Sequence, residues 1–240
     1  MALISVLATS ITITGLGPNI AATLREMSGG NLPLLLILAA AACYVFGMGL
    51  PTITAYLLVA LLIVPAVIQA GVLPLAAHFM VLYLALIGHY TPPVAPASYI
   101  AAGIAGSDFM RTGFTAMRLG MALLIVPFFI VYEPSLVMVG DPGTILRVFA
   151  RSFIGVVLLS AGVSGYLLRF RNVVERVCLV AAGLLMIWPS LVTTVSGIAL
   201  GMVILIPWSK VLALVSRRVA VGNTGRADGQ TTDNKRPQRD

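Results

Sequence analysis

Three polar residues stand at interruptions of otherwise apolar sequence, and their types suit ion and carboxylate binding rather than covalent chemistry. Thr52 closes the run Gly47-Met48-Gly49-Leu50-Pro51-Thr52, Thr91 opens the run Thr91-Pro92-Pro93-Val94, and His89 lies two residues before it. Gly and Pro interrupt a helix and free backbone carbonyls and amides. Hydroxyl and carbonyl oxygens are hard donors suited to a small cation such as Na⁺, while helix amides and hydroxyls suit a carboxylate. An isolated Thr in an apolar helix more often bonds back to its own carbonyls. Thr52 (with Thr54 just after it) and Thr91 stand at breaks, which favours the binding role. His89 reads equally as a proton site or as a neutral, hydrogen-bonded histidine, and His78, near the start of its helix, reads as interfacial. Tyr44, Tyr56, Tyr83, Tyr90 and Tyr99 read as packing and interface anchors, and Met48 as a flexible contact at the tip of the first break.

Enzymatic chemistry has no comparable support. No carboxylate lies in the deep apolar segments, no Ser/His/Asp set recurs, and no Gly-rich loop is followed by Lys-Ser or Lys-Thr. Zinc-type Cys/His spacing is also missing; Cys43 and Cys178 sit in separate apolar runs and read as small buried hydrophobes. No transition metal and no organic cofactor is expected.

The elements that must position these residues are membrane helices. Of 240 residues, 59% are hydrophobic and only 10% charged, with a mean hydropathy of +1.03. Between Glu26 and Asp108 there is no Asp, Glu, Lys or Arg. A stretch that long, at about 1.5 Å per helical residue against a hydrocarbon core of about 30 Å, must cross or re-enter the bilayer several times. The net charge of +7 forms no patch with interleaved aromatics, so a nucleic-acid partner is not expected. The N-terminus lacks a basic segment and reads as the start of a span over 2–24 rather than a cleaved signal.

After a polar turn at 25–31 come two apolar stretches, 33–46 and 53–68, each short for a crossing. They predict a re-entrant hairpin over 33–68 with its tip at 47–52, because broken backbone is tolerated at membrane depth only where protein encloses it. Residues 75–106 predict one discontinuous helix, broken after 90 at Thr91-Pro92-Pro93 and resuming at 97. Spans follow at 114–132 and 152–168, and the short stretches 177–188 and 196–208 flank Pro189-Ser190 as a second hairpin or as two short spans. Residues 1–210 are thus one membrane domain, and 216–240 a disordered polar tail. With both hairpins re-entrant, one side of the membrane receives Arg25, Arg147 and Arg151. The other receives Arg111, Arg118, Arg169, Arg171, Arg176, Lys210 and the tail's basic residues. That asymmetry places the C-terminus in the cytoplasm and the first hairpin's entry on the outside.

The segment from GMGLPT through the TPPV break to AAGIAGSD resembles the C-terminal half of the large permease of tripartite ATP-independent periplasmic (TRAP) transporters, most closely the fused permeases that work with TAXI-type binding proteins. The resemblance covers about residues 10–208. It implies an all-α integral membrane fold, one inverted-repeat half of an elevator-type secondary transporter in a bacterial inner (plasma) membrane. The transporter would be fed by a periplasmic solute-binding protein and take up organic acids or similar small anions with a cation gradient, Na⁺ first and H⁺ as the alternative. Carried over by position, Met48, Gly49, Pro51, Thr52, Thr91 and Pro92 would line the substrate site. Gly47, Gly49, Thr52, Thr91, Pro93 and Val94 would hold the cation.

The pattern departs in three places: Pro51-Thr52 stand where dicarboxylate-type members carry an acidic residue, and His89 and Pro96 replace small or aliphatic residues. The first repeat of the family is not in this sequence, so the resemblance implies a partner N-terminal permease half. A truncated or non-transporting membrane partner is the alternative reading, and a membrane enzyme using His89 a third.

Overall fold

The computed structural model describes residues 2–167, 169–170 and 172–205. The tail expected at 216–240 and the end of the stretch 196–208 lie outside the described residues. The expected single span over 2–24 is instead two helices, α1 (Ala2–Ile13) and α2 (Leu16–Ser28). Gly15 between them has φ 64, a left-handed turn that ends one helix before the next begins. A Cβ on Gly17 would lie 2.8 Å from the Leu61 carbonyl, so α2 sits directly on backbone of α4 (Thr52–Gln69).

The next elements follow the sequence closely. α3 (Leu32–Gly47) is capped by Asn31, whose side chain accepts from the Leu34 amide at 3.1 Å, and it ends at the Gly-Met-Gly tip. α4 starts at Thr52 and packs on α3. α5 (Pro74–Ile87) and α6 (Pro96–Ala105) are the two parts of the interrupted helix, and α5 stops three residues earlier than expected. Helices α2 to α5, joined by α8, bury one apolar core that includes Leu35, Leu36, Leu62, Ile63, Met80 and Leu84.

The span expected at 114–132 begins earlier and is jointed: α7 (Phe109–Leu119), capped by Asp108 on the Arg111 amide, runs through Gly120 into α8 (Met121–Tyr132). α9 (Pro142–Ser164) starts ten residues before the expected 152, because Asp141 caps the Gly143 and Thr144 amides and Pro142 occupies the first turn. Its first turns carry Arg147 and Arg151, charges that a hydropathy reading excludes from a span. The two-residue strands β1 (Tyr166–Leu167) and β2 (Arg169–Phe170) form a small antiparallel ladder before α10 (Val173–Ile187), and α11 (Leu191–Leu205) follows the Pro189-Ser190 break. α10 packs on both α9 and α11, as expected of a helical pair joined by a short turn.

Among the described residues, three stretches are long and apolar enough to cross a membrane: Thr52–Gln69, which was expected to be short for a crossing, Phe109–Tyr132 and Pro142–Ser164. Large apolar side chains face outward along α9, with Leu146, Phe149 and Phe153 all exposed. An outward apolar face of this kind is what lipid, not water, accommodates. The chain is therefore a multi-pass membrane protein, and among the described residues it is all-helical apart from the small β ladder.

Glycine sets the spacing of its last three helices. A Cβ on Gly183 would lie 2.7 Å from both the Gly155 carbonyl and the Leu159 amide, and one on Gly197 would lie 2.6 Å from Met186 Cγ. Helices in lipid gain their association from such close packing. Gly183→Val is expected to cost about 1–3 kcal/mol by forcing α9 and α10 apart, read as a lowered Tm of the purified protein. Gly103→Ala, where a Cβ meets nothing within 4 Å, is the control and should leave Tm unchanged or slightly higher; equal losses in the two variants would refute the packing argument.

Candidate functional site

The end of α3 and the tip that follows it meet the end of α5 and the break before α6 at five places. Gly47 backs onto α5, where an added Cβ would lie 2.9 Å from the Ala85 carbonyl oxygen. Gly88 faces it from the other side, where a Cβ would lie 3.2 Å from the Gly47 carbonyl carbon and the Met48 amide. Neither position has room for a side chain, which is why glycine ends both helices here. Gly49, with φ +75, turns the tip so that a Cβ would touch Val94 Cγ1 at 3.4 Å. Thr52 Oγ1 lies 3.4 Å from His89 Nε2, a long hydrogen bond. The Tyr44 hydroxyl donates to the Pro92 carbonyl.

The break is built from its own hydrogen bonds. The Thr91 amide returns to the Ile87 carbonyl at 3.1 Å, the Ala97 amide donates to the His89 carbonyl at 3.0 Å, and the Ser98 hydroxyl donates to the Tyr90 carbonyl at 2.8 Å. The Pro92–Pro93 peptide is cis, and Ala95, fully buried, takes a left-handed φ of 36. That conformation costs an L-residue about 1–2 kcal/mol, so the surrounding packing must hold it. Gly113 and Gly120 supply that packing: a Cβ on Gly113 would lie 2.6 Å from Pro92 Cγ, and one on Gly120 2.8 Å from the Tyr90 ring. The break is thus wedged against α7 and α8.

What remains unpaired defines what the junction can bind. Among the described residues, the carbonyls of Met48 and Gly49 at the tip, and of Pro93 and Val94 at the break, accept no hydrogen bond. Neither do the first-turn amides of Thr52, Ile53 and Thr54 find an acceptor, because the residue at the cap of α4 is Pro51, which has no side-chain acceptor. Carbonyl oxygens and a hydroxyl suit a small cation, and uncapped amides at a helix N-terminus suit an anion. Among the described residues no cluster of His, Cys, Asp and Glu could hold a metal ion.

The residues expected to form one site divide into two groups. Gly47, Gly49, Thr52, Val94 and His89 meet at the tip, with Met48 and Pro51 ending α3 and preceding α4 there. Thr91 is elsewhere: it is buried, its hydroxyl has no partner, and with Pro92 it borders a cavity of about 390 Å³ shared with Tyr44, Phe114 and Met117. Thr54 is half-buried one turn into α4. His89 Nδ1 is likewise buried without a partner, so only one ring nitrogen is engaged. His78 bonds Tyr56 at 2.9 Å between α4 and α5, a contact its place near a helix start did not reveal. Cys43 is buried and unpaired, as its apolar run implied, and Cys178 is half-buried and unpaired.

Sequence reasoning gave Tyr44 only a packing and anchoring role and did not single out Gly88. Tyr44 lies 48 residues from Pro92 in the chain, and nothing in a single sequence links them. Gly88 beside His89 in an apolar helix was the available signal for a close backbone approach. Tyr44→Phe keeps the ring and removes the donor, leaving the Pro92 carbonyl without its partner. A loss of about 1 kcal/mol is expected, seen as a lower Tm; an unchanged Tm would reduce Tyr44 to packing.

Known proteins offer one point of comparison for this junction. The sequence model of the family described as Tripartite ATP-independent periplasmic transporter, DctM component, matches residues 1–141, which include α1 to α8 and the whole junction. No curated protein and no solved structure matches the chain.

Proposed function

We infer the role of this chain from its family: it belongs to the DctM component of the tripartite ATP-independent periplasmic transporters, the large permease. A permease of this family moves solute and is not an enzyme family. We propose that the chain takes up organic acids or similar small anions with a cation gradient, receiving them from a periplasmic solute-binding protein. The closer kinship proposed is with the fused permeases that serve TAXI-type binding proteins.

The observation that supports this reading is the meeting of the two breaks. Carbonyls at Met48, Gly49, Pro93 and Val94, with the Thr52 hydroxyl, offer oxygen donors to Na⁺. The unpaired amides at the start of α4 offer positive dipole to a substrate carboxylate, alongside Met48, Gly49 and Pro51. Thr91, buried with an unpartnered hydroxyl beside a separate cavity, is proposed to act on the site through the shape of the break it opens. His89, linked to Thr52 and with Nδ1 unpaired, is the proton site if H⁺ is the coupling ion.

In this reading α3 and α4 form a re-entrant hairpin entered from outside, the C-terminus lies in the cytoplasm, and the protein sits in the bacterial inner membrane. The site moves across the bilayer as one body, in the manner of an elevator. One hairpin and one broken helix give one wall of a site, and a second permease half supplies the other. α6, which packs mainly on α7 and leaves Ile100 and Ile104 exposed, is the surface proposed to meet it.

Uptake of a labelled organic acid by proteoliposomes, containing this chain with its permease and binding-protein partners, tests the proposal. Uptake should require the binding protein and an inward cation gradient. Thr52→Ala should reduce it by about tenfold or more, the loss of roughly 1.4 kcal/mol or more of site interaction, and Thr91→Val should reduce it by altering the break. Wild-type uptake in both variants would sink the site assignment, and uptake driven equally well without any cation gradient would sink the coupling.

A further inference from the structure

Two arginines from different helices grip the same helix end. At the C-terminus of α9, Arg118 of α7 donates from Nε to the Val163 carbonyl at 2.8 Å and from Nη2 to the Ser164 carbonyl at 2.9 Å. Arg176 of α10 donates from Nε to the Gly162 carbonyl at 3.2 Å and from Nη2 to the Val163 carbonyl at 3.1 Å. Gly165, with φ +79, permits this, since a Cβ there would lie 3.0 Å from Arg176 Nε. The helix end carries about half a negative charge, while the two guanidiniums carry two full positive charges. A surplus of about one and a half positive charges is left at this point.

Beside it opens a cavity of about 470 Å³ whose lining includes both arginines and Val163, Val173, Val177 and Val180. No acidic residue lines it, and the Arg151–Glu133 ion pair lies elsewhere. Glu175, next to Arg176 in the chain, has an interaction of its own and does not border the cavity. Val173 and Val177 are largely exposed, so the apolar wall continues onto the outer surface of α10.

We propose that this groove holds one anionic glycerophospholipid, its phosphate on the free N–H groups of Arg118 and Arg176 and an acyl chain along Val173 and Val177. A guanidinium binds phosphate through its fork even while other N–H groups serve carbonyls. Basic pockets between membrane helices recognise anionic headgroups in this way. A free phosphate would satisfy the arginines but leave the valine wall uncovered, whereas a lipid covers both. The proposal requires membrane residence only, and stands apart from the transport reading.

Native mass spectrometry of the purified full chain, delipidated and then titrated with phosphatidylglycerol or phosphatidylcholine, reads the site directly. The wild type should retain one phosphatidylglycerol with a preference of about thirtyfold, as expected for two arginines near a headgroup. Arg118→Ala with Arg176→Ala should abolish that preference. Because those changes also uncap α9, Val177→Trp is the second variant: it fills the acyl wall, keeps both arginines, and should lose the bound lipid at unchanged Tm. Equal retention of the two lipids by the wild type, or undiminished phosphatidylglycerol in Val177→Trp, overturns the proposal. Full displacement of the lipid by inorganic phosphate would also overturn it, by showing a bare anion site. A protein segment found to occupy the groove in place of lipid would do the same.

Discussion

Backbone that leaves a helix at membrane depth has no water to turn to, and the protein itself must answer each amide and carbonyl. The rest of this fold follows from how that demand is met between α5 and α6. Ser98 and the Ala97 amide reach back to Tyr90 and His89, and Tyr44 reaches across from α3 to Pro92. Those bonds place α3 against the break, which in turn requires Gly47 and Gly88 where the two helix ends touch. Gly113 and Gly120 then let α7 and α8 close over Pro92 and Tyr90. A single interruption thus dictates glycines in four different helical segments or their joints. The carbonyls that no protein donor reaches are the ones proposed to meet a ligand.

The last three helices form a second packing unit on the same principle, with a small core of Leu158, Leu179, Ala182 and Met186. Its ties to the first unit are few and specific. Trp188, at the bend between α10 and α11, stacks on Tyr132 and meets Phe129 edge-on, so aromatic contacts hold the bend to α8. At the opposite end of α9, the arginine of α7 holds its final carbonyls. Near its start, Arg151 pairs with Glu133, 3.2 Å away and mostly sheltered.

Much of the junction was legible because its signals are local. Gly-Met-Gly-Leu-Pro-Thr and Thr-Pro-Pro-Val announce helix breaks through backbone sterics alone, and α3, α4 and α6 fall within a residue or two of the expected limits. What stayed hidden depended on distant partners or on caps. The break in the first span turned on Gly15 adopting a left-handed φ, which an apolar count does not register. The early start of α9 turned on Asp141 capping two amides, although the charged residues that follow argued for a loop. Thr91 was placed with Thr52 because both flank breaks, but spacing cannot say which way a hydroxyl faces, and it borders a different cavity. Tyr44 shows the same limit, since its donor role exists only once α3 lies beside Pro92.

The stretch between Glu26 and Asp108 that lacks every acidic and strongly basic side chain has an electrical consequence. With neutral histidine, the junction carries no formal charge of its own. On the proposed reading, this half of the site adds no fixed charge to that of the cargo. One Na⁺ with one monocarboxylate would travel as a neutral unit, indifferent to membrane voltage, while each additional cation would add one elementary charge. At about 2.3 kcal/mol per charge per 100 mV, the membrane potential then contributes only through the cations in excess of the substrate's charge. Stoichiometry therefore sets the voltage sensitivity that this half confers, with no correction for a fixed carboxylate between Glu26 and Asp108.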